Sequence, residues 1–202
     1  MPKQTTCAVA LVLLFWQLAA QVKSTTVIRA AYPATPARQQ TLTQTLEFTY
    51  LEGDFKPPYR IPAEPQQNGS FRTPEETMSV RASAMISQDY DLWLSTWDDS
   101  ARAQFLHEST GPAAVAERKR QWRAMFSVSQ MVLFKRIETR EFVILTYKML
   151  DEQGRNVGQF ELPSVFQKIG NRWIGTQRLA ADPLLIESPW ISMQSMVVRE
   201  VK

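Results

Sequence analysis

The sequence predicts an α+β fold in which helices come first and pack on a strongly twisted antiparallel β-sheet, and three observations predict it. Between Thr73 and Phe126, apolar residues recur at three- and four-residue steps behind recognisable helix caps. From Val128 the period changes, and segments rich in Val, Ile, Phe, Tyr and Thr follow one another across short turns. One more alternating segment, Leu42 to Leu51, stands ahead of the helices as an extra N-terminal strand.

At the start of the chain, Lys3 and the apolar run Cys7 to Trp16 predict an export signal over residues 1–24. The run is short of the roughly 20 residues that a membrane span needs. Leu18 fits poorly at the third position before a cleavage after Ala20, where a small residue is expected. Cleavage near Ala20 or Ser24 and retention as an N-terminal anchor therefore both stay open, and either makes the protein periplasmic or secreted. Contact with a membrane arises only through an uncleaved segment. Cys7 begins the run instead of ending it, so lipid attachment at that residue is rejected.

Residues 25–70 read as an arm, a strand and a connector. Ser24 to Gln40 is polar, holds Pro33 and Pro36, and has no apolar period, which predicts a loosely held arm. Leu42, Leu46, Phe48 and Tyr50 then fall on alternate positions, with threonines and Glu47 between them. Pro57, Pro58, Pro62 and Pro65 remove ladder donors and predict an extended connector. Asn68-Gly69-Ser70 matches a glycosylation acceptor, a pattern too short to carry an argument.

Thr73-Pro74-Glu75-Glu76 combines a capping box with proline at the first helical position, so a helix starts there, with Met78, Ala82, Met85 and Ile86 on its apolar face. Ser87-Gln88-Asp89 breaks it. A second helix carries Tyr90, Trp93, Leu94 and Trp97 on one stripe. Asp98-Asp99-Ser100 caps a third to about Glu108, and Gly111-Pro112 opens a fourth to about Phe126, with Val115, Trp122, Met125 and Phe126 inward. Strands are predicted over Met131–Glu138, Glu141–Leu150, Val157–Lys168 and Arg172–Leu179, joined by turns that imply an antiparallel meander. Pro163 demands a bulge or an edge. Residues 182–202 form a C-terminal tail whose pattern assigns no class.

The run from Thr73-Pro74-Glu75-Glu76 through Asp89-Tyr90-Asp91-Leu92-Trp93-Leu94-Ser95-Thr96-Trp97, with a further helix and a meander ending in Lys168-Ile169-Gly170-Asn171-Arg172-Trp173, resembles the nuclear-transport-factor-2-like, cystatin-like cone superfamily. The resemblance covers about residues 71–181. It implies a cone-shaped domain there, with a cavity between the curved sheet and the helices. The cavity wall would draw on Tyr90, Trp93, Trp97, Trp122, Phe126, Tyr147, Phe160, Phe166 and Trp173, aromatics whose plainer role is to fill core. Members of the superfamily are enzymes, binding modules and assembly factors alike. The strand and connector before residue 71 and the tail after Pro183 lie outside its usual pattern.

Composition narrows the chemistry. The chain has 23 basic and 20 acidic residues, and loss of Lys3 with the signal leaves 22 against 20, a net charge that argues against nucleic acid as a partner. Arg118-Lys119-Arg120 with Arg123 is a local exception, read as a solvated helix face ahead of a phosphate or anionic-lipid patch. One cysteine and one histidine exclude a disulfide framework, Cys-ligated zinc and a His-pair metal motif, and no motif calls for a cofactor. Superfamily enzymes of isomerase or cyclase type use a cavity carboxylate with a Tyr, His or second acid. Here Asp89, Asp91, Asp98 and Asp99 sit at helix ends as caps, and His107 stands beside Glu108 near another end, which makes it a surface residue. Glu161 faces outward if Phe160 and Leu162 face the core, and inward only in the reversed register.

Three functions follow as expectations. The first is an exported, non-catalytic domain that binds a small apolar ligand or a partner protein in the cell envelope. The second is a cavity enzyme of isomerase or cyclase type. The third is an envelope assembly or accessory factor that acts as a homodimer through the open sheet face.

Overall fold

The computed structural model describes residues 21–31, 42–62, 69–158, 160–191 and 198–200, and side chains among them from residue 47 to residue 191. The first twenty residues, which hold most of the expected signal and Cys7, lie outside the described residues. The described chain is α+β, with strands β1 (Gln21–Ala31), β2 (Leu42–Arg60), β3 (Gln130–Thr139), β4 (Phe142–Leu150), β5 (Leu162–Ile169), β6 (Arg172–Gly175) and β7 (Val198–Glu200). Helices are α1 (Pro74–Ser87), α2 (Tyr90–Ser95), α3 (Asp99–Glu108), α4 (Pro112–Phe126) and α5 (Pro183–Glu187). One sheet runs in the order β6-β5-β4-β3-β2-β1-β7, every pairing antiparallel.

Local chemistry starts each helix where the sequence places it. Thr73 Oγ1 accepts from the amide of Glu76 at 3.1 Å, and a Glu76 carboxylate oxygen accepts from the amide of Thr73 at 3.2 Å, closing the capping box. Asp89, Asp98 and Asp182 cap α2, α3 and α5 in turn. Thr73→Ala is expected to lower stability by about 1 kcal/mol, seen as a lower urea midpoint at unchanged slope.

Phe142-Val143-Ile144-Leu145 is an unbroken apolar run because β4 is buried on both faces. Val143, Leu145 and Met149 meet Met78 and Ala82 of α1, together with Leu133 and Phe166. Phe142 and Ile144 point the other way, into a cluster with Tyr50, Ile137 and Val165 that is covered by Leu179, Leu184 and Trp190. The C-terminal segment thus makes a third layer, a role that no pattern in the tail announces.

Several boundaries differ from the sequence reading, each for a local reason. Gln21–Ala31, which runs from the end of the expected signal into the expected loose arm, pairs with β2 along its length, in a stretch of sequence rich in β-branched residues, which favour strands. Pro57 and Pro58, expected in a connector, lie within β2 where its register against β3 breaks between Asp54 and Tyr59, so their missing amides cost no ladder bond. β5 begins at Leu162 instead of Val157, because Asn156 bridges back to Leu150 and the Val157 amide donates to the Met149 carbonyl. Pro163 occupies the part of β5 that β6 does not reach, the edge position it demands. β6 stops at Gly175, whose backbone donates to the Thr96 carbonyl and accepts from the Asp98 amide.

Candidate functional site

Between α1 and the sheet, where a cavity is expected, stands a buried guanidinium. Arg81 lies on the face of α1 that carries Met78 and Ala82, and it is 4% exposed. Its Nε donates to Thr96 Oγ1 at 3.1 Å, Nη1 to Ser164 Oγ at 2.7 Å and Nη2 to the Thr96 carbonyl at 3.2 Å. Its Cζ stands 3.6 Å from the centre of the Trp97 ring and 5.0 Å from that of Phe166. Burial pulls the guanidinium down to about 9, and the neighbouring Tyr147 opposes that shift. The group therefore keeps its charge at neutral pH. Burial also pushes the Tyr147 phenol above its ordinary value, with the Arg81 charge acting against it.

The nine aromatics expected around a cavity fall into separate places. Tyr90, Trp93 and Trp122 are buried with Phe105 among the helices, the Trp93 ring 5.5 Å from Tyr90 and 5.4 Å from Trp122. Trp97 packs on the edge of that cluster, 5.8 Å from Trp93. Phe166 is fully buried against the sheet, with Phe126, Tyr147 and Trp173 packed around its cluster. Arg81 joins the two groups by lying between Trp97 and Phe166. Phe160 is 57% exposed in the β4–β5 connection. A hollow of about 50 Å³, bounded by Ile61, Ala82, Ile86, Phe126 and Met131, has Phe126 as its one member of the nine. Drug-sized ligands occupy roughly 300 Å³ or more, so this space suits a water or two.

Two of the candidate catalytic acids are helix caps. Asp89 accepts from the Leu92 amide at 2.9 Å and Asp98 from the Ala101 amide at 2.7 Å. Asp91, Asp99 and His107 are exposed on α2 and α3. Glu161 faces away from the helices, where one carboxylate oxygen lies 3.4 Å from Lys148 Nζ and the other is buried with no hydrogen-bond partner. No group of three or more His, Cys, Asp or Glu positioned to hold a metal occurs among the described residues.

The sheet's second face carries a more open site. β2 loses register between Asp54 and Tyr59, directly across from the break in β3 between Leu133 and Lys135, so two bulges face each other. A hollow of about 470 Å³ opens there, bounded by Pro57, Pro58, Val132, Phe134 and Leu150, with Arg60 and Lys148 as its charged residues and Gly154 and Asn156 at one end. Lys148 Nζ lies 4.7 Å from the centre of the Phe134 ring. Further along the same face, Lys135 Nζ is 2.5 Å from Glu52 and 3.3 Å from Asp54.

The Lys135 group sets a pH dependence. Burial works against the charges, but Lys135 holds the Asp54 carboxyl below its ordinary value, and Glu52 with Asp54 holds the Lys135 ammonium above its own. The Asp54 contribution to stability is present above the unfolded carboxylate range and is lost as pH falls through the folded value. The Lys135 contribution is present below the unfolded lysine value and is lost as pH rises through the folded one. Lys135→Met is expected to flatten both limbs of the stability profile, below about pH 4 and above about pH 10, in urea titrations across pH.

Sequence reasoning missed Arg81, Phe134 and Lys148. Arg81 had a usable signal, since it falls three residues after Met78 on the apolar stripe of α1. Pro57-Pro58 in a β-rich segment signals a bulge, but its partner bulge at Phe134 appears only once β2 and β3 are paired. No protein-family model, curated protein or solved structure matches the chain.

Proposed function

We propose that the chain is an exported, non-catalytic domain of the cell envelope that binds a partner protein through the second face of its sheet. The observation that carries this reading is the hollow between the facing bulges of β2 and β3, beside a connection whose apolar side chains stand in solvent. Val157 is 52% exposed and Phe160 57%, on the same β4–β5 connection that supplies Gly154 and Asn156 to the hollow. Exposed apolar groups next to a concave, partly apolar surface are the usual marks of an association site. A cone-shaped superfamily domain with an added N-terminal strand, exported by residues 1–24, is the frame for this proposal. The capped helices followed by antiparallel strands support it.

A small apolar ligand held inside is the weaker version, because Arg81 and the packed aromatics occupy the space between helices and sheet. A photo-crosslinking amino acid placed at Val157 or Phe160 in the protein expressed in its own host tests the docking surface. Position-specific adducts to one protein are expected there, and not at Leu106 or Ile186, which are equally exposed apolar residues elsewhere. Equal labelling at all four positions, or none at Val157 and Phe160, would remove the proposal.

A further inference from the structure

We infer that the hollow on the second sheet face receives an extended segment of the partner in which a carboxylate stands among apolar side chains, and that Arg60 binds that carboxylate. The inference rests on the docking reading above and adds the chemistry of what docks. Among the described residues, each acid near this site already stands against a lysine, although the second carboxylate oxygen of Glu161 has no hydrogen-bond partner. Glu161 lies against Lys148, and Asp54 lies between Lys135 and Lys56, while Glu52 contacts Lys135. Arg60 is different. It is an exposed residue, and among the described residues its guanidinium meets a neutral acceptor, the Gln130 side-chain oxygen at 3.3 Å, and no acid. Both charged residues that bound the hollow are cations, and the rest of its wall includes Pro57, Pro58, Val132, Phe134 and Leu150.

Facing bulges explain why this surface can take a chain. Phe134 is the extra residue of the β3 bulge, and its ring lies under Lys148. Pro57 and Pro58 fill the β2 bulge without amides that would need partners. The floor is therefore apolar and low in unsatisfied donors, with a fork of guanidinium donors at the rim suited to bidentate pairing with a carboxylate.

Selection of phage-displayed random seven-residue peptides on the full exported chain tests the inference. Enriched peptides are expected to carry Asp or Glu flanked by apolar residues. Their synthetic forms should bind Arg60→Glu at least about tenfold more weakly, and a Lys-for-acid peptide should recover the loss. Phe134→Ala should weaken binding without changing far-UV circular dichroism, and Arg60, being exposed, can be reversed without disturbing the core. Enrichment without acids, or indifference to Arg60→Glu, overturns the inference. So does saturable binding of decanoate where no peptide binds, or a homodimer that Arg60→Glu dissolves, since each assigns the hollow to another occupant. Crosslinks at Val157 and Phe160 together with acid-free peptides would leave the docking surface standing and remove only its proposed chemistry. Absent crosslinks would remove the docking surface itself.

Discussion

Replacing Gly175 by alanine is expected to destabilise the protein by about 2 to 3 kcal/mol, measured by urea or guanidinium titration. An added Cβ would overlap Nη2 of Arg81, and would stand 2.9 Å from its Cζ and 3.0 Å from Cε3 of Trp97. An arginine on a surface would swing aside at little cost. Arg81 is held by three hydrogen bonds, two to Thr96 and one to Ser164, and is stacked on Trp97, so displacing it strands buried acceptors. Arg81→Ala should itself cost about 3 to 5 kcal/mol, through lost volume and lost bonds. Arg81→Met keeps most of the volume and removes a buried charge that has no acidic partner among the described residues, so it should cost less than the alanine variant. The decisive measurement is the double variant Arg81→Met with Gly175→Ala. Its loss should fall short of the sum by about 1 kcal/mol or more, because the methyl group then has no guanidinium to strike. Strict additivity would show that the two residues do not share the space the structure gives them.

Trp190→Ala is the second large effect, expected at about 3 to 5 kcal/mol. Trp190 is 5% exposed, meets Tyr50 edge to face at 5.9 Å, and helps cover Ile137, Ile144 and Val165. Its loss opens an apolar sheet face to water, so the variant should also associate with itself at micromolar concentration in analytical ultracentrifugation. Ile186→Ala is the matched control, since Ile186 lies four residues earlier in the chain, on α5, at 53% exposure and should change stability by no more than about 0.5 kcal/mol. If both substitutions proved equally mild, the C-terminal segment would not be the third layer described above.

Elements that depend on near neighbours in sequence were the legible ones. The caps at Thr73, Asp89 and Asp98 act over three residues, and the helices they start fall where the apolar steps place them. The strands from Gln130 to Gly175 follow the β-rich segments, with ends that moved wherever a distant contact intervened. Gly175 ends β6 against Trp97 and Thr96, more than seventy residues away in the chain. The candidate site was much less legible. Helical and strand periods mark Tyr90, Trp93, Trp122 and Phe166 as inward-facing residues, yet their division into two clusters joined by Arg81 depends on how α2 and α4 pack on α1. Glu161 illustrates the limit of alternation. Its neighbours Phe160 and Leu162 are both exposed, at 57% and 45%, so the rule that would have aimed Glu161 from their burial had no burial to work from.

By itself, the order of residues determined the class of the fold, the starts of the helices and the antiparallel succession of strands, because hydrogen bonding over a few residues and the period of apolar side chains set all three. Only the tertiary structure decided that an arginine occupies the space between helices and sheet, that the C-terminal segment covers part of the other face, and that two bulges meet to open a hollow on it. Those outcomes join residues far apart in the chain, and their energies come from desolvation and packing that exist only after the elements have been brought into contact.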